Sequence, residues 1–186
     1  MEISASDKLF ELAGVMLADA LWRASEASNG RAFDPYAGVI QDGEFLMADF
    51  SPPSEENPDD GARALDYLLA HREDYLAWAF VQDSYTINVG NKEDLRGLKP
   101  DEVDVSRFER IDTITVTAWE QGMEEPIAIM QRYAPRKSGR FRMLDDPFFV
   151  VEGKELAETD ASAYLELLRS GFMQHEDAAR HWRSWT

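Results

Sequence analysis

Ile111-Asp112-Thr113-Ile114-Thr115-Val116-Thr117-Ala118-Trp119-Glu120 is the stretch on which the fold turns. Ile114, Val116 and Ala118 alternate with Thr113, Thr115 and Thr117. A period of two in β-branched residues marks a strand with its apolar side chains on one face. Ile114 and Val116 are expected to face the core, with Thr113 and Thr115 opposite. Val116→Asp is then expected to be far more damaging than Thr115→Asp, because it buries an unpaired charge.

Hairpins surround this strand. Residues 121–125 turn the chain, and Pro126 to Tyr133 return it with Ile127 and Ile129 on one face. Pro135 to Gly139 make another turn, and Phe141 to Leu144 continue. After Asp146-Pro147 comes Phe148 to Val151, short and fully apolar. On the other side, Tyr75 to Gln82 and Tyr85 to Val89 bracket Asp83-Ser84, which reads as a hairpin turn. Residues 91–108 form a polar connection with room for one helical turn. Earlier still, Tyr36 to Ile40 and Phe45 to Phe50 flank Asp42-Gly43, the pair that suits a type I′ turn.

Three helical segments punctuate the strands. The first has Ser6 as its cap, Asp7 in its first turn, and Leu9, Leu12, Met16 and Ala20 at three- and four-residue steps. Gly30 is its natural stop. A second opens at Asn57-Pro58-Asp59-Asp60 and fades near Arg72. A third begins near Asp160, carries Tyr164, Leu167, Leu168 and Phe172, and is kinked or divided at Gly171. The order predicts an α+β fold: a mostly antiparallel sheet built from hairpins, with N-terminal, middle and C-terminal helices packed on it. No repeat and no long linker interrupts it, so residues 1–186 are expected to form one domain.

Composition narrows the chemistry. The chain holds 36 acids against 19 Lys and Arg, a formal net charge of −17. That disfavours nucleic acid and anionic membrane surfaces as partners. Cysteine is absent, which excludes thiolate metal sites, disulfides and a cysteine nucleophile. The N-terminus carries Glu2 and Asp7 where an export signal needs basic residues, so a cytoplasmic location is expected. Phosphate loops, serine elbows, His-Glu-x-x-His pairs and calcium loops are all missing, and no cofactor or metal is expected. The motifs alone do not decide whether the chain is catalytic.

Four weaker features remain. Asp177 and His181 lie four apart on one helix face, a spacing equally suited to ordinary surface pairing. Adjacent carboxylates at Glu55-Glu56, Asp59-Asp60, Glu124-Glu125 and Asp145-Asp146 sit in turns and at a helix start, a poor setting for acid–base pairs. Trp182 and Trp185 are expected to dock the last helix on the sheet or on a second subunit. The charge distribution says most. Eight acids and no base fall between Arg31 and Arg63, whereas Arg132, Arg136, Lys137, Arg140 and Arg142 cluster in an acid-free stretch. These five cations are the candidate binding residues. They are expected to meet the acidic hairpin of the same molecule, a second subunit, or an anion.

The residues therefore point first to a non-catalytic acidic protein-binding or self-associating module, with a homodimer as one form. An inhibitor of a basic target fits that class, because acidic surface steers association. The alternative is an enzyme or small-ligand-binding protein with a pocket between sheet and helices.

Overall fold

In the computed structural model, Asp42 and Gly43 both adopt positive φ, 53° and 82°. This is the geometry that the Asp-Gly pair was expected to supply. It joins β1 (Tyr36–Gln41) to β2 (Glu44–Asp49) in register from Gln41↔Glu44 to Tyr36↔Asp49. The structure describes residues 3, 5–27, 33–50, 60–88, 105–135 and 140–186. The expected caps and stop at Gly30, Asn57 and Pro58 lie outside these.

The other strands are β3 (Ala77–Asn88), β4 (Glu109–Glu120), β5 (Ile127–Ala134), β6 (Arg142–Met143), β7 (Phe148–Val151) and β8 (Lys154–Glu155). They form one antiparallel sheet in the order β2-β1-β3-β4-β5-β7-β8, with β6 paired to β5. The helices are α1 (Asp7–Glu26), α2 (Asp60–Ala70), α3 (Glu158–Phe172) and α4 (Glu176–Trp185). The expected α+β architecture holds.

One expected hairpin is absent. Asp83-Ser84 does not turn; β3 runs straight through it and pairs with β4 from Ala77↔Glu120 to Asn88↔Glu109. A two-residue turn needs positive φ at both positions, which a serine resists. Ser84 finds better partners in the ladder. Its hydroxyl donates to the Thr113 carbonyl at 2.8 Å and lies 2.8 Å from the Thr115 hydroxyl.

The two faces of the sheet build two cores. On one face α1 lies against Ala79, Val81, Ile114, Val116, Ala118, Ile127 and Ile129, with α3 and α4 beside it. Leu9, Phe10, Ala13, Met16, Leu17, Ala20 and Leu21 of α1 are all fully buried. On the other face Ala64 and Leu68 of α2 cover Ala37, Val39, Trp78, Phe80 and Trp119. Trp78 and Trp119 are partners in register, their rings stacked 6.3 Å apart.

The threonine face of β4 does oppose the apolar face, but it is not the solvent face. Thr113, Thr115 and Thr117 are 0, 7 and 8 % exposed. The Thr113 and Thr115 hydroxyls tolerate burial because they are bonded: Thr115 meets the Ser84 hydroxyl, and Thr113 lies 3.1 Å from the Thr86 hydroxyl and donates to the Ile111 carbonyl. The expected contrast between the two aspartate substitutions therefore shrinks. Thr115→Asp and Val116→Asp should each lower the melting temperature sharply, since each buries a carboxylate without a cation. An unshifted melt for Thr115→Asp would show that this face opens to water.

At the helix ends, two further expectations change. Ser6 does occupy the N-cap position of α1, but its side chain makes no capping bond to the helix; its amide and hydroxyl both donate to the Glu120 carboxylate, the hydroxyl at 2.6 Å. The C-terminal helix divides near Gly171, as expected, but Gly171 sits inside α3 and is needed for packing. A Cβ at Gly171 would overlap the Glu11 carbonyl oxygen of α1, and one at Gly14 would overlap the Leu168 carbonyl oxygen of α3. Gly14→Ala and Gly171→Ala should each cost about 3 kcal/mol through overpacking. Ser170→Ala, one residue away and exposed, should change stability by under about 0.5 kcal/mol. Thermal melts of the three variants check this.

Candidate functional site

Among the described residues, three places combine accessibility with unusual chemistry: the basic end of the sheet, the outer edge of β2, and a cavity between sheet and helices.

At the basic end, Arg132 projects from β5. Its guanidinium donates to Asp145 at 2.9 Å and lies 4.9 Å above the Phe148 ring. Arg142 stands on β6 and Arg140 just before it. With Arg183 of α4 they surround a depression of about 520 Å³, floored by Ala134, Ser184, Trp185 and Thr186. Among the described residues, no carboxylate pairs with Arg140, Arg142 or Arg183. Arg136 and Lys137 lie outside the described residues. The candidate cations thus divide: Arg132 has an acid of its own, while Arg140 and Arg142 join Arg183, which the charge run did not contain. Only the docking of α4 brings it there.

That docking is aromatic. Trp185 is buried and meets Phe141 edge-on at 5.2 Å, and Phe141 in turn packs on Tyr133 at 5.5 Å. Trp182 packs on Phe172 at 4.6 Å. Both tryptophans thus bind the last helix to its own chain. His181 lies between Trp22 and Trp185, its ring 5.5 and 5.6 Å from theirs. Asp177 instead accepts from Arg180. The helical spacing of Asp177 and His181 therefore serves two separate contacts.

The acidic hairpin does not reach the basic end. β1, β3 and β4 stand between β2 and β5. Four strand spacings amount to about 19 Å, well beyond the ~10 Å screening length at ordinary salt. Among the described residues, strand order therefore keeps β2 and its acids away from Arg132, Arg140 and Arg142.

The outer edge of β2 carries three consecutive large apolar residues, Phe45, Leu46 and Met47, exposed at 50, 46 and 44 %. No described strand pairs with this edge. In a hairpin closed by two residues, the flanking pair Gln41↔Glu44 is the hydrogen-bonded one. Bonding then alternates, so Leu46 and Ala48 bond inward to β1. Phe45, Met47 and Asp49 direct their amides and carbonyls outward. The Phe45 ring is held over Gly38, where a side chain would strike both Phe45 and the Met16 sulfur. Asp42, Glu44 and Asp49 place negative charge at both ends of the strand.

The cavity lies where Leu17 of α1, Leu165, Leu168 and Phe172 of α3, and Trp182 of α4 meet Gln131 and Met143 of the sheet. Its volume is about 170 Å³, and Asp146, Ser162, Glu166 and Arg169 rim it. Gln131 occupies an inward position of β5, in line with Ile127, Ile129 and Tyr133, and is fully buried. Neither hairpin reading nor charge counting singles it out. The signal was there, however: a polar residue in the inward register of an otherwise apolar strand face.

Buried tyrosines support this region and the first core. Tyr133 donates to Asp83 at 3.0 Å, spanning β4 to link β5 with β3. Burial, reinforced by the Asp83 charge, pushes its hydroxyl well above the ordinary 10.0. Burial and the charge of Asp19 do the same to Tyr36, which lies under the Arg23 guanidinium at 4.4 Å. Below pH 10 both phenols are protonated in folded and unfolded chains, so their contribution is intact. Above it the unfolded chain releases protons that the fold retains. Stability should then fall by about 1.4 kcal/mol per pH unit for each phenol. Tyrosinate absorbance and circular dichroism followed together should show these two phenols ionising only as the fold is lost. Ionisation of every tyrosine before any unfolding would contradict their burial.

No protein-family model, no curated protein sequence and no solved structure matches this chain.

Proposed function

We propose that this chain is a non-catalytic, acidic protein-binding module that takes an extended segment of a basic partner onto the outer edge of β2. The observation that carries this reading is the open edge itself, with Phe45, Leu46 and Met47 exposed and acids at both strand ends. Strand addition draws affinity from main-chain bonds and selectivity from alternate side chains. Outward amides at Phe45 and Met47 supply the first, and the exposed apolar row supplies the second. The net charge of −17 accelerates encounter with a cationic surface and repels acidic competitors. An inhibitor of a basic target is the subclass that these properties suit best.

Symmetrical pairing of β2 with a second copy fits less well. It sets Asp42, Glu44 and Asp49 of two copies along one ladder and brings together two chains that each carry a net charge of −17, so the contact works against charge repulsion. Self-association draws its support instead from Arg140, Arg142 and Arg183, whose charges are free to meet the acidic edge of another copy. That contact is head-to-tail, so it builds a ring where the rotation between copies closes and an open chain where it does not.

Met47→Pro tests the edge. The Met47 amide points outward, so proline removes an outward donor and leaves the inward ladder to β1 in place. A peptide of alternating valine and threonine flanked by lysines should bind the wild type saturably and weaken as salt is added. Binding should drop at least about tenfold with Met47→Pro, the equivalent of about 1.4 kcal/mol. The same peptide flanked by glutamates should not bind. Equal binding of both peptides, or full binding by a folded Met47→Pro, would overturn the edge reading. Concentration-dependent growth in sedimentation that salt abolishes would favour self-association in its place.

A further inference from the structure

We infer that the cavity between α1, α3, α4 and the β5–β6 end of the sheet is a binding site for a small, one-ring apolar molecule carrying a single N–H or O–H donor, with the side-chain oxygen of Gln131 as its acceptor. The inference stands apart from the β2 edge, since the two places share no residue.

The argument begins with Gln131. Its amide nitrogen donates to two carbonyls, Arg132 at 2.9 Å and Asp145 at 2.7 Å. Two carbonyl acceptors fix the orientation of the amide, because only the NH₂ group can donate to both. The Oε1 atom is therefore held in place, and it is buried with no hydrogen-bond partner among the described residues. A buried acceptor left unpaired is costly, and native interiors seldom tolerate one without a reason. Gln131 is at the same time part of the cavity wall. Oε1 is closed off from water at that wall, so a guest whose donor shifts the wall at Gln131 and reaches the oxygen supplies the partner that the folded chain withholds.

The cavity sets the size and character of the guest. Leu17, Met143, Leu165, Leu168, Phe172 and Trp182 make the walls apolar. A cavity of about 150 Å³ with such a lining accommodates benzene in another protein, and this one measures about 170 Å³. Drug-sized or nucleotide-sized ligands need roughly 300 Å³ or more and do not fit. At the mouth, Asp146 and Glu166 oppose a single Arg169 whose guanidinium is 3.7 Å from Glu166 and 5.4 Å from the Trp182 ring. This balance disfavours a free anion and admits a neutral or cationic molecule.

Phenol and toluene provide the test, because they share a shape and differ in the donor. Calorimetric titration of the full chain should show saturable binding of phenol at millimolar concentrations. Gln131→Leu removes the acceptor and should lower the ratio of phenol to toluene affinity by about tenfold or more, since an unpaired donor is rejected by an apolar wall. Leu165→Trp, from the half-buried face of α3, should fill the cavity and abolish binding of both; it leaves the sheet untouched and keeps the test decisive if Gln131→Leu does not fold. Absence of saturable phenol binding to the wild type, a phenol-to-toluene ratio unchanged by Gln131→Leu, or full binding by folded Leu165→Trp would each overturn the site.

Discussion

Two helix backbones touch in this protein, and much else follows from that contact. Gly14 of α1 lies against the Leu168 carbonyl of α3, and Gly171 of α3 lies against the Glu11 carbonyl of α1. With no Cβ at either crossing point, α3 sits close enough to cover the flank of α1 and leaves no room for a thicker side chain. α1 can then be apolar on nearly every side, because the sheet lies beneath it and α3 beside it. The chain turns at 173–175 into α4, whose amide at Ala178 is capped by His175. His175 reaches Asp19 of α1 as well, at 3.3 Å, so the turn is tied back to the helix that α3 already grips. The walls of the Gln131 cavity and the position of Arg183 at the basic end both depend on this arrangement.

The sheet answers a related demand. Its centre is buried on both faces, which removes the usual solution of a polar side turned to water. Hydroxyls replace that solution: Ser84, Thr86, Thr113 and Thr115 bond to each other or to the ladder, and their methyl and methylene groups fill space. Asp83 shares its charge with a tyrosine hydroxyl two strands away. Where the sheet ends, the two margins differ. β2 leaves apolar side chains and backbone groups open between acids. The β5–β6 end closes with aromatic packing and leaves arginines open. Among the described residues the molecule therefore presents two margins of opposite charge, held apart by the strands between them.

Much of this was legible from residues alone. Asp42-Gly43 announced its hairpin because positive φ at two successive positions is a local property that few residue pairs satisfy. Ile114 and Val116 declared their face by periodicity. The fold class followed from short links between strands. Asp83-Ser84 misled because a polar dipeptide between two apolar runs resembles a turn, and only pairing with β4 reveals that its hydroxyl has partners in the ladder. The acid-free basic stretch shows the same limit at the site. Arg140 and Arg142 stood out as cations in an acid-free run, but Arg183 did not, since its approach is made in space and three elements, β7, β8 and α3, lie between β6 and α4 in the chain.

By itself, then, the sequence determined the local geometry: turns set by φ, faces set by period, and the sign of charge along each segment. The tertiary structure alone decided which residues share a place. Gly171 became a helix crossing as well as the place where the helix divides, the threonine face became interior, and Gln131 became an orphaned acceptor beside an apolar cavity. Each of these outcomes depends on what packs from a distant part of the chain, and burial at one position is a property of its neighbours in space, which no window of adjacent residues contains.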